Sequence, residues 1–478
     1  MRGSSRPHDR RLLVGGIKVF LADVLIIPSG ILTAAYLGRR LGPEGYGIFT
    51  VAAALVAWVE WSLTGLFARA SIKVVADARD WRPVGSTVVS AHLGLSLAAT
   101  VLLVALAGPV AAALSTPELA GPLRLFALDI PLFCLAQAHR HILVGIGDFA
   151  ERAGAAAARW ISRLLLVVLL VELGLSIDGA VLGSIGASLV EVAVCRWFVR
   201  PGFSARAALE VGKLWGYVAP LFISALALRL YDRLDLVALT ALGGSAEAAG
   251  HYGAAQNLAL LPGILGLSFT PLLLTTLTRA FRDGDAVRAS RLGRDAMRGA
   301  FLLAPFTALC AGSAAGIVDL VFGPAFAQAA GLVAPLMFSG VALVLVSVGT
   351  AILTARGRPG LTAACTAPIP LAAAGGYLAL IPGYGPRGAA LVTLVVSCAA
   401  ALGLLMAVHR VCRIAPPAGS VVKAVFLGAA AYLAAARWPA AGALVLLQLG
   451  LVGGAILLVY RLTGELASPA LPSAAEGD

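Results

Sequence analysis

The sequence predicts an all-α polytopic membrane protein of about 14 transmembrane helices, built as two pseudo-twofold six-helix lobes plus two C-terminal helices. Three observations carry that prediction. The 478 residues are 60% hydrophobic and 13% charged, with a mean hydropathy of +0.92. A soluble domain carries about 25% charged residues, so the surrounding solvent must be lipid. The apolar runs are about 20 residues long and lack strict alternation, which suits helices and not barrel strands. The chain also matches itself at an offset of 206 residues. Tyr46-Gly47 then falls on Tyr252-Gly253, Ser62 and Thr64 on Ser268 and Thr270, Asp77 on Asp283 and Arg82 on Arg288. Nine of thirty-seven aligned positions are identical, where about four are expected by chance in so biased a composition.

Gly, Pro and charge cut the apolar sequence into its elements. The first six spans lie near 16–38, 45–68, 86–115, 121–146, 153–174 and 177–199. The second six lie near 212–243, 250–277, 298–321, 331–355, 360–381 and 387–409, followed by two more near 418–436 and 440–460. The expected organisation is a first lobe over 1–205, a second over 206–413, and spans thirteen and fourteen with a tail over 414–478. The repeat extends beyond its best-matched stretch. Gly147-Asp148 and Gly357-Arg358 both follow a fourth span, and Asp178-Gly179-Ala180 and Arg387-Gly388-Ala389 both open a sixth.

Lys and Arg set the orientation. Arg69, Lys73, Arg79 and Arg82, then Arg140 and Arg152, then Arg196, Arg200, Arg206 and Lys213, fall on one side. Arg279 through Arg298, Arg356, Arg358, Arg410, Arg413, Lys423 and Arg461 join them. The other side holds only Arg39, Arg40, Arg387 and Arg437 in its loops. Both termini are therefore expected in the cytoplasm. Six spans per lobe give both lobes the same orientation, so the repeat axis runs along the membrane normal. The basic N-terminus, including Arg10 and Arg11, reads as an anchor of the first span and not as a cleaved signal, because the following apolar run is longer than a signal core. Arg288, Arg291, Arg294 and Arg298 have the spacing of one helix face on the inner leaflet, or of an ordinary positive-inside loop.

Charges within spans cost about 2.5–3.5 kcal/mol each on insertion scales, so each needs a partner or water. Span seven carries Arg229, Asp232, Arg233 and Asp235. Arg229 and Asp232 have i,i+3 spacing for a pair, and Arg233 joins that face. The patch is read either as a neutralised structural pair or as a polar surface facing a hydrated centre. Arg159 and Arg163 share one face of span five and repel each other. Either acids on neighbouring helices neutralise them, or a bound anion does. Asp23, Glu60, Asp129 and Glu191 lie at the same depth and supply those acids. The guanidinium fork suits phosphate, so Arg159, Arg163, Arg229 and Arg233 are the candidate ligands for an anionic substrate. Asp23, Glu60, Asp129, Glu191, Asp232 and Asp235 are the candidates for proton or sodium coupling. His92 is expected to be a partly hydrated residue near the inner end of span three, and Glu172 and Arg124 to reach the outer interface. The offset places Arg229 on Asp23, so equivalent helices carry opposite charges.

No catalytic residues, metal ligands or cofactor motif stand out. There is no G-x-x-x-x-G-K-[ST], H-E-x-x-H or G-x-S-x-G. Cys134, Cys195, Cys310, Cys365, Cys398 and Cys412 are scattered and read as small apolar fillers. The net charge of +12 lies in short loops, which speaks against a nucleic-acid partner. The outer loops, about ten residues or shorter, leave no room for the extracytoplasmic domain that a sugar-transfer enzyme needs.

Four loop motifs carry a resemblance. They are Arg40-Leu41-Gly42-Pro43-Glu44-Gly45-Tyr46-Gly47-Ile48-Phe49, the span-seven acid followed by Leu242-Gly243 and Gly250-His251-Tyr252-Gly253-Ala254-Ala255, Phe322-Gly323-Pro324-Ala325-Phe326, and Gly383-Tyr384-Gly385-Pro386-Arg387-Gly388-Ala389-Ala390. In this order and in these loops, the chain resembles the polysaccharide-biosynthesis flippases of the multidrug/oligosaccharidyl-lipid/polysaccharide exporter superfamily. The resemblance implies two lobes around a central cavity, alternating access and ion coupling. It also implies a flippase in the bacterial inner membrane. The substrate would be an undecaprenyl-pyrophosphate-linked oligosaccharide for O-antigen, capsule or exopolysaccharide. Membrane lipids and polymerase or ligase machinery would be its partners. A cation-coupled multidrug antiporter and a lipid II flippase are the alternatives within the superfamily. The lipid II flippases place cavity arginines on their first two spans, where this chain has Asp23 and Glu60.

Overall fold

In lipid, every backbone N–H and C=O must find a partner within the chain, and a helix does this locally. The computed structural model describes residues 26–204 and 215–465, and no strand occurs among them. Asp23, Arg206 and Lys213 lie outside the described residues. The first half of the chain contributes α1 (Ile26–Asp77), α2 (Trp81–Ala113), α3 (Ala120–Phe126), α4 (Asp129–Ile146), α5 (Phe149–Leu170) and α6 (Ser176–Phe198). The second half contributes α7 (Trp215–Ala241), α8 (Ala246–Arg282), α9 (Ala286–Leu302), α10 (Ala304–Gly312), α11 (Ala314–Phe322), α12 (Ala330–Ala355), α13 (Pro359–Thr366) and α14 (Ile369–Cys412). Then come α15 (Ala418–Arg437) and α16 (Leu444–Leu462).

Several of these helices exceed one crossing. The 52 residues of α1 would run roughly 78 Å if straight, against an apolar layer of about 30 Å. The helix breaks at Gly42, whose φ of 68° few side chains tolerate, and Pro43 opens the next stretch. The same Gly-Pro device breaks the 44-residue α14 at Gly385, with φ 53°, before Pro386. Among the described residues, eight helices are long and apolar enough to cross a membrane, or up to nine if the bent pair Ala286–Gly312 and Ala314–Phe322 is one span. Three of the eight run 50 or 54 residues, so the number of helices is smaller than the number of crossings expected from the sequence. Polar side chains cap several starts: Asp80 accepts from the Arg82 N–H at 3.1 Å, Ser245 from Ala248 at 3.1 Å and Asp285 from Arg288 at 2.8 Å.

In the first half, α4 packs against α1, α2 and α6, and α5 lies along α6. In the second half, α12 packs between α8 and α14, with α7 against α13 and α14. The halves meet chiefly where α1 crosses α7 and α8. The basic face expected near 288–298 divides. Arg288, Arg291 and Arg294 are exposed on α9, while Ala289, Gly293 and Met297 are buried. Arg298 instead turns to Glu465.

The C-terminal helices dock through α15 on α10 and hold there by polar contacts. Gln448 bonds Ser313 at 2.9 Å and the carbonyls of Ala435 and Trp438 at 3.1 and 2.6 Å, beside the 71° bend between α10 and α11. Just past α16, the Glu465 carboxylate accepts from Ser420 at 2.7 Å and Lys423 at 2.8 Å, with Arg298 at 3.4 Å. Burial pushes this carboxyl up, but Lys423, Ser420 and Arg298 outweigh it and hold it below the usual carboxylate range. Its stabilisation is therefore complete above the ordinary carboxylate pKa of about 4.3 and fades as pH falls through the lower folded value. In thermal melts from pH 7 to pH 3, Glu465→Gln should lower the melting temperature at pH 7 and narrow the gap to wild type at acid pH. A gap independent of pH contradicts this account.

Candidate functional site

Three groups of polar residues, two of them buried, lie on helices whose surroundings are otherwise apolar. The first lies within the first half. The Glu191 carboxylate on α6 is fully buried and holds two arginines: Arg159 on α5 at 3.1 Å and Arg140 on α4 at 3.3 Å. Arg159 also lies over the Phe133 ring, 4.6 Å from its centroid. Glu60 on α1 and Asp129 on α4 are sealed nearby, close enough to repel each other and to attract Arg159 and Arg163. Glu60 Oε1 and Asp129 Oδ1 lack a hydrogen-bond partner among the described residues.

Arg163, one turn beyond Arg159, is different. It makes no hydrogen bond or ion pair among the described residues, and its Nε is sealed from solvent. Its one aromatic neighbour, Trp160, lies 6.0 Å away. The expectation that acids or an anion neutralise both arginines thus divides: Glu191 pairs with Arg159, whereas Arg163 feels Asp129 and Glu60 only at longer range and makes no ion pair among the described residues.

The second group surrounds Asp235 on α7, which is 3% exposed. Its carboxylate accepts from the Tyr252 hydroxyl at 2.7 Å, the Gln256 amide at 2.8 Å and the Leu236 N–H at 2.8 Å. Thr393 on α14 approaches at 3.4 Å, with its hydroxyl 2.9 Å from that of Tyr377, and Tyr231 donates to its carbonyl at 2.8 Å. Arg233 donates to the Gln256 carbonyl oxygen at 3.0 Å. Arg233 therefore does not join the Arg229–Asp232 face as its spacing suggested, because Gln256 offers a buried acceptor on α8.

The third group is the seam between the halves. Arg229 pairs with Asp232 at 3.2 Å as expected, but both side chains stay open, 44% and 46% exposed. The Arg229 guanidinium lies 4.5 Å from the centroid of Trp61 on α1. Asn257 on α8 donates to the Tyr46 hydroxyl at 2.8 Å. Arg163 from one half and Arg233 from the other both lie close enough to act electrostatically on that hydroxyl. Glu172 pairs with Arg40 and accepts from the Tyr36 hydroxyl. His92 departs from expectation. It is 3% exposed, because α4 and Phe67 of α1 close over it.

Sequence reasoning counted Arg140 toward the positive inner side, whereas the helix runs through it to Ile146 and delivers it to Glu191. It also missed Tyr252, Gln256, Tyr377 and Thr393. Tyr252 was visible as the repeat partner of Tyr46; the others have no sequence signal.

A helical chain whose buried charges gather at and beside the seam of two related halves is a multi-pass membrane protein of the flippase and transporter class. The chain belongs to the polysaccharide biosynthesis protein family, whose pattern it matches over residues 12–273. Among solved structures it is similar to the lipid II flippase MurJ in an inward closed conformation, at 14% identity and a TM-score of 0.72, covering 95% of this chain and 99% of that one. It is also similar to the Vibrio cholerae MATE transporter VcmN, at 16% identity and a TM-score of 0.59 over 84% and 97% of the two chains. A transporter of the MOP superfamily from Pyrococcus furiosus, described by the reverse polarity of its binding pocket, gives 16% identity and a TM-score of 0.55 over 88% and 96%. No curated protein matches the chain.

Proposed function

We propose that the protein is a flippase that moves an undecaprenyl-pyrophosphate-linked oligosaccharide across the bacterial inner membrane by alternating access, with ion coupling, for surface polysaccharide assembly. One observation carries this reading: Arg163, which makes no ion pair among the described residues, lies at the seam with Arg233, on opposite halves, around Tyr46. A pyrophosphate head cannot cross hydrocarbon unaided, and guanidinium groups bind its oxygens in pairs. Arg229 and Asp232 supply an exposed polar edge for the sugar, and Arg159 is reassigned to holding Glu191. The halves act as two lobes over 1–205 and 206–413, with both termini cytoplasmic. The acid pair Glu60–Asp129 and the carboxylate Asp235 are the coupling candidates; Asp23 has the same assignment from sequence alone.

A cation-coupled drug antiporter is the second reading, favoured by the sealed Glu60–Asp129 pair. It leaves Arg163 without a purpose. Reconstitution with a defined lipid-linked oligosaccharide separates the two. Flipping that rises under an imposed pH or sodium gradient is expected. A strain lacking the gene that shows normal surface polysaccharide and no build-up of inward-facing lipid-linked repeat units would sink the proposal.

A further inference from the structure

Three histidines lie around Arg140, toward the end of α4 that the Lys/Arg bias assigns to the cytoplasm. His92 on α2 is 3% exposed and His139 on α4 is fully buried. The His92 Nδ1 lies 2.8 Å from the Val88 carbonyl and the His139 Nδ1 2.7 Å from the Leu135 carbonyl. A carbonyl only accepts, so each Nδ1 carries its ring's hydrogen and each Nε2 is a bare acceptor. Both Nε2 atoms are sealed without a protein partner, and so is the Nδ1 of His141. The His92 and His141 rings lie 5.8 Å apart, with Phe67 5.2 Å from His92.

An unmet buried acceptor costs about 1–3 kcal/mol. Each of these sealed ring nitrogens calls for a small hydrogen-bond partner, and water is the smallest. The charged groups acting on the cluster are Arg196 on His139, and Arg140 and Arg152 on His141. All are positive, which disfavours a metal cation or a resting imidazolium there. Such a cluster passes a proton and does not store one. Arg140, between His139 and His141 in the chain, reaches Glu191. Asp129 lies ten residues before His139 along α4, about 15 Å along the axis.

We propose that His92, His139 and His141 line a hydrated proton port between the cytoplasmic face and the Glu60–Asp129 pair. The inference rests on the ion-coupling reading above and names the proton as the ion. A proton arriving on water bonds to the Nε2 lone pair and leaves from the same nitrogen to the next water, so no other bond changes.

The test uses the full chain in proteoliposomes with a trapped pH dye and a synthetic polyprenyl-pyrophosphate disaccharide as probe. Wild type should move protons with the probe. The His92→Gln/His139→Gln double variant keeps polar side chains of similar size that cannot take a proton at neutral pH. It should slow proton movement by roughly ten-fold or more, with probe affinity and melting temperature unchanged. Unchanged proton movement overturns the port. A loss matched by a fallen melting temperature assigns the histidines to packing and also overturns it. Wild type that moves the probe without protons refutes proton coupling before any histidine is altered.

Discussion

Arg163→Ala is expected to lower flipping by about 10- to 100-fold, the worth of one charge-assisted contact to an anion at roughly 1.5–3 kcal/mol, while leaving the protein folded. Arg163 has no ion-pair partner to abandon, so its removal breaks no pair, and the repulsion it relieves with Arg159 offsets the longer-range pull of Asp129 and Glu60 that it gives up. The opposite holds one turn earlier. Arg159→Ala leaves the fully buried Glu191 with Arg140 alone at 3.3 Å, and breaking a buried pair costs about 3–5 kcal/mol. That variant should lose folded protein before it loses turnover. The two neighbouring arginines, equivalent by spacing, thus separate by readout. Flipping in proteoliposomes and thermal unfolding measure them together. Arg163→Lys should recover part of the rate, since it restores the charge without the fork. Normal flipping by Arg163→Ala at normal expression removes this residue from the substrate's path.

The contrast between Arg159 and Arg163 also marks what the sequence could and could not convey. Membrane residence, the doubled unit and the Arg229–Asp232 pair depend on composition, on an offset and on spacing within one helix, all of which are local. The partners of Glu191 depend on which faces of α4, α5 and α6 meet, and no periodicity states that. Arg140 falls inside the fourth span read from the sequence, but its charge counts equally toward the positive inner side, so nothing in its spacing points to Glu191. The shell around Asp235 draws on α7, α8 and α14, and its Tyr, Gln and Thr residues are unremarkable until the helices bring them to one carboxylate. His92 appeared hydrated because its helix alone leaves it open; Phe67 and α4 do the sealing.

Gly47→Ala and Gly250→Ala should each stop transport almost completely. Three of the four loop motifs that carry the family resemblance meet at one seam between the halves. Arg39 donates to the carbonyls of Leu320 and Val321 at 2.6 and 3.0 Å, capping the C-terminal end of α11 from the other half. Tyr46 packs on Phe322 and Phe326, with ring centroids 6.0 and 5.8 Å away. Between these contacts α1 and α8 touch backbone to backbone. A Cβ on Gly47 would lie 1.8 Å from the Ala246 carbonyl oxygen, and one on Gly250 1.9 Å from that of Pro43. Backbone cannot yield as a side chain does, so the halves must part. Neither helix need unfold, because alanine suits both. Gly253→Ala is the internal control: its Cβ would meet the Thr50 methyl at 2.8 Å, a side chain able to shift, and its effect should be mild. If the seam is the outer gate, a cysteine at Thr50, 7% exposed in the closed seam, should react slowly with an impermeant maleimide added outside and rapidly once Gly47→Ala is present. Slow labelling with normal transport in Gly47→Ala would mean that the seam stays shut throughout the cycle, and the moving boundary between the halves would have to lie elsewhere.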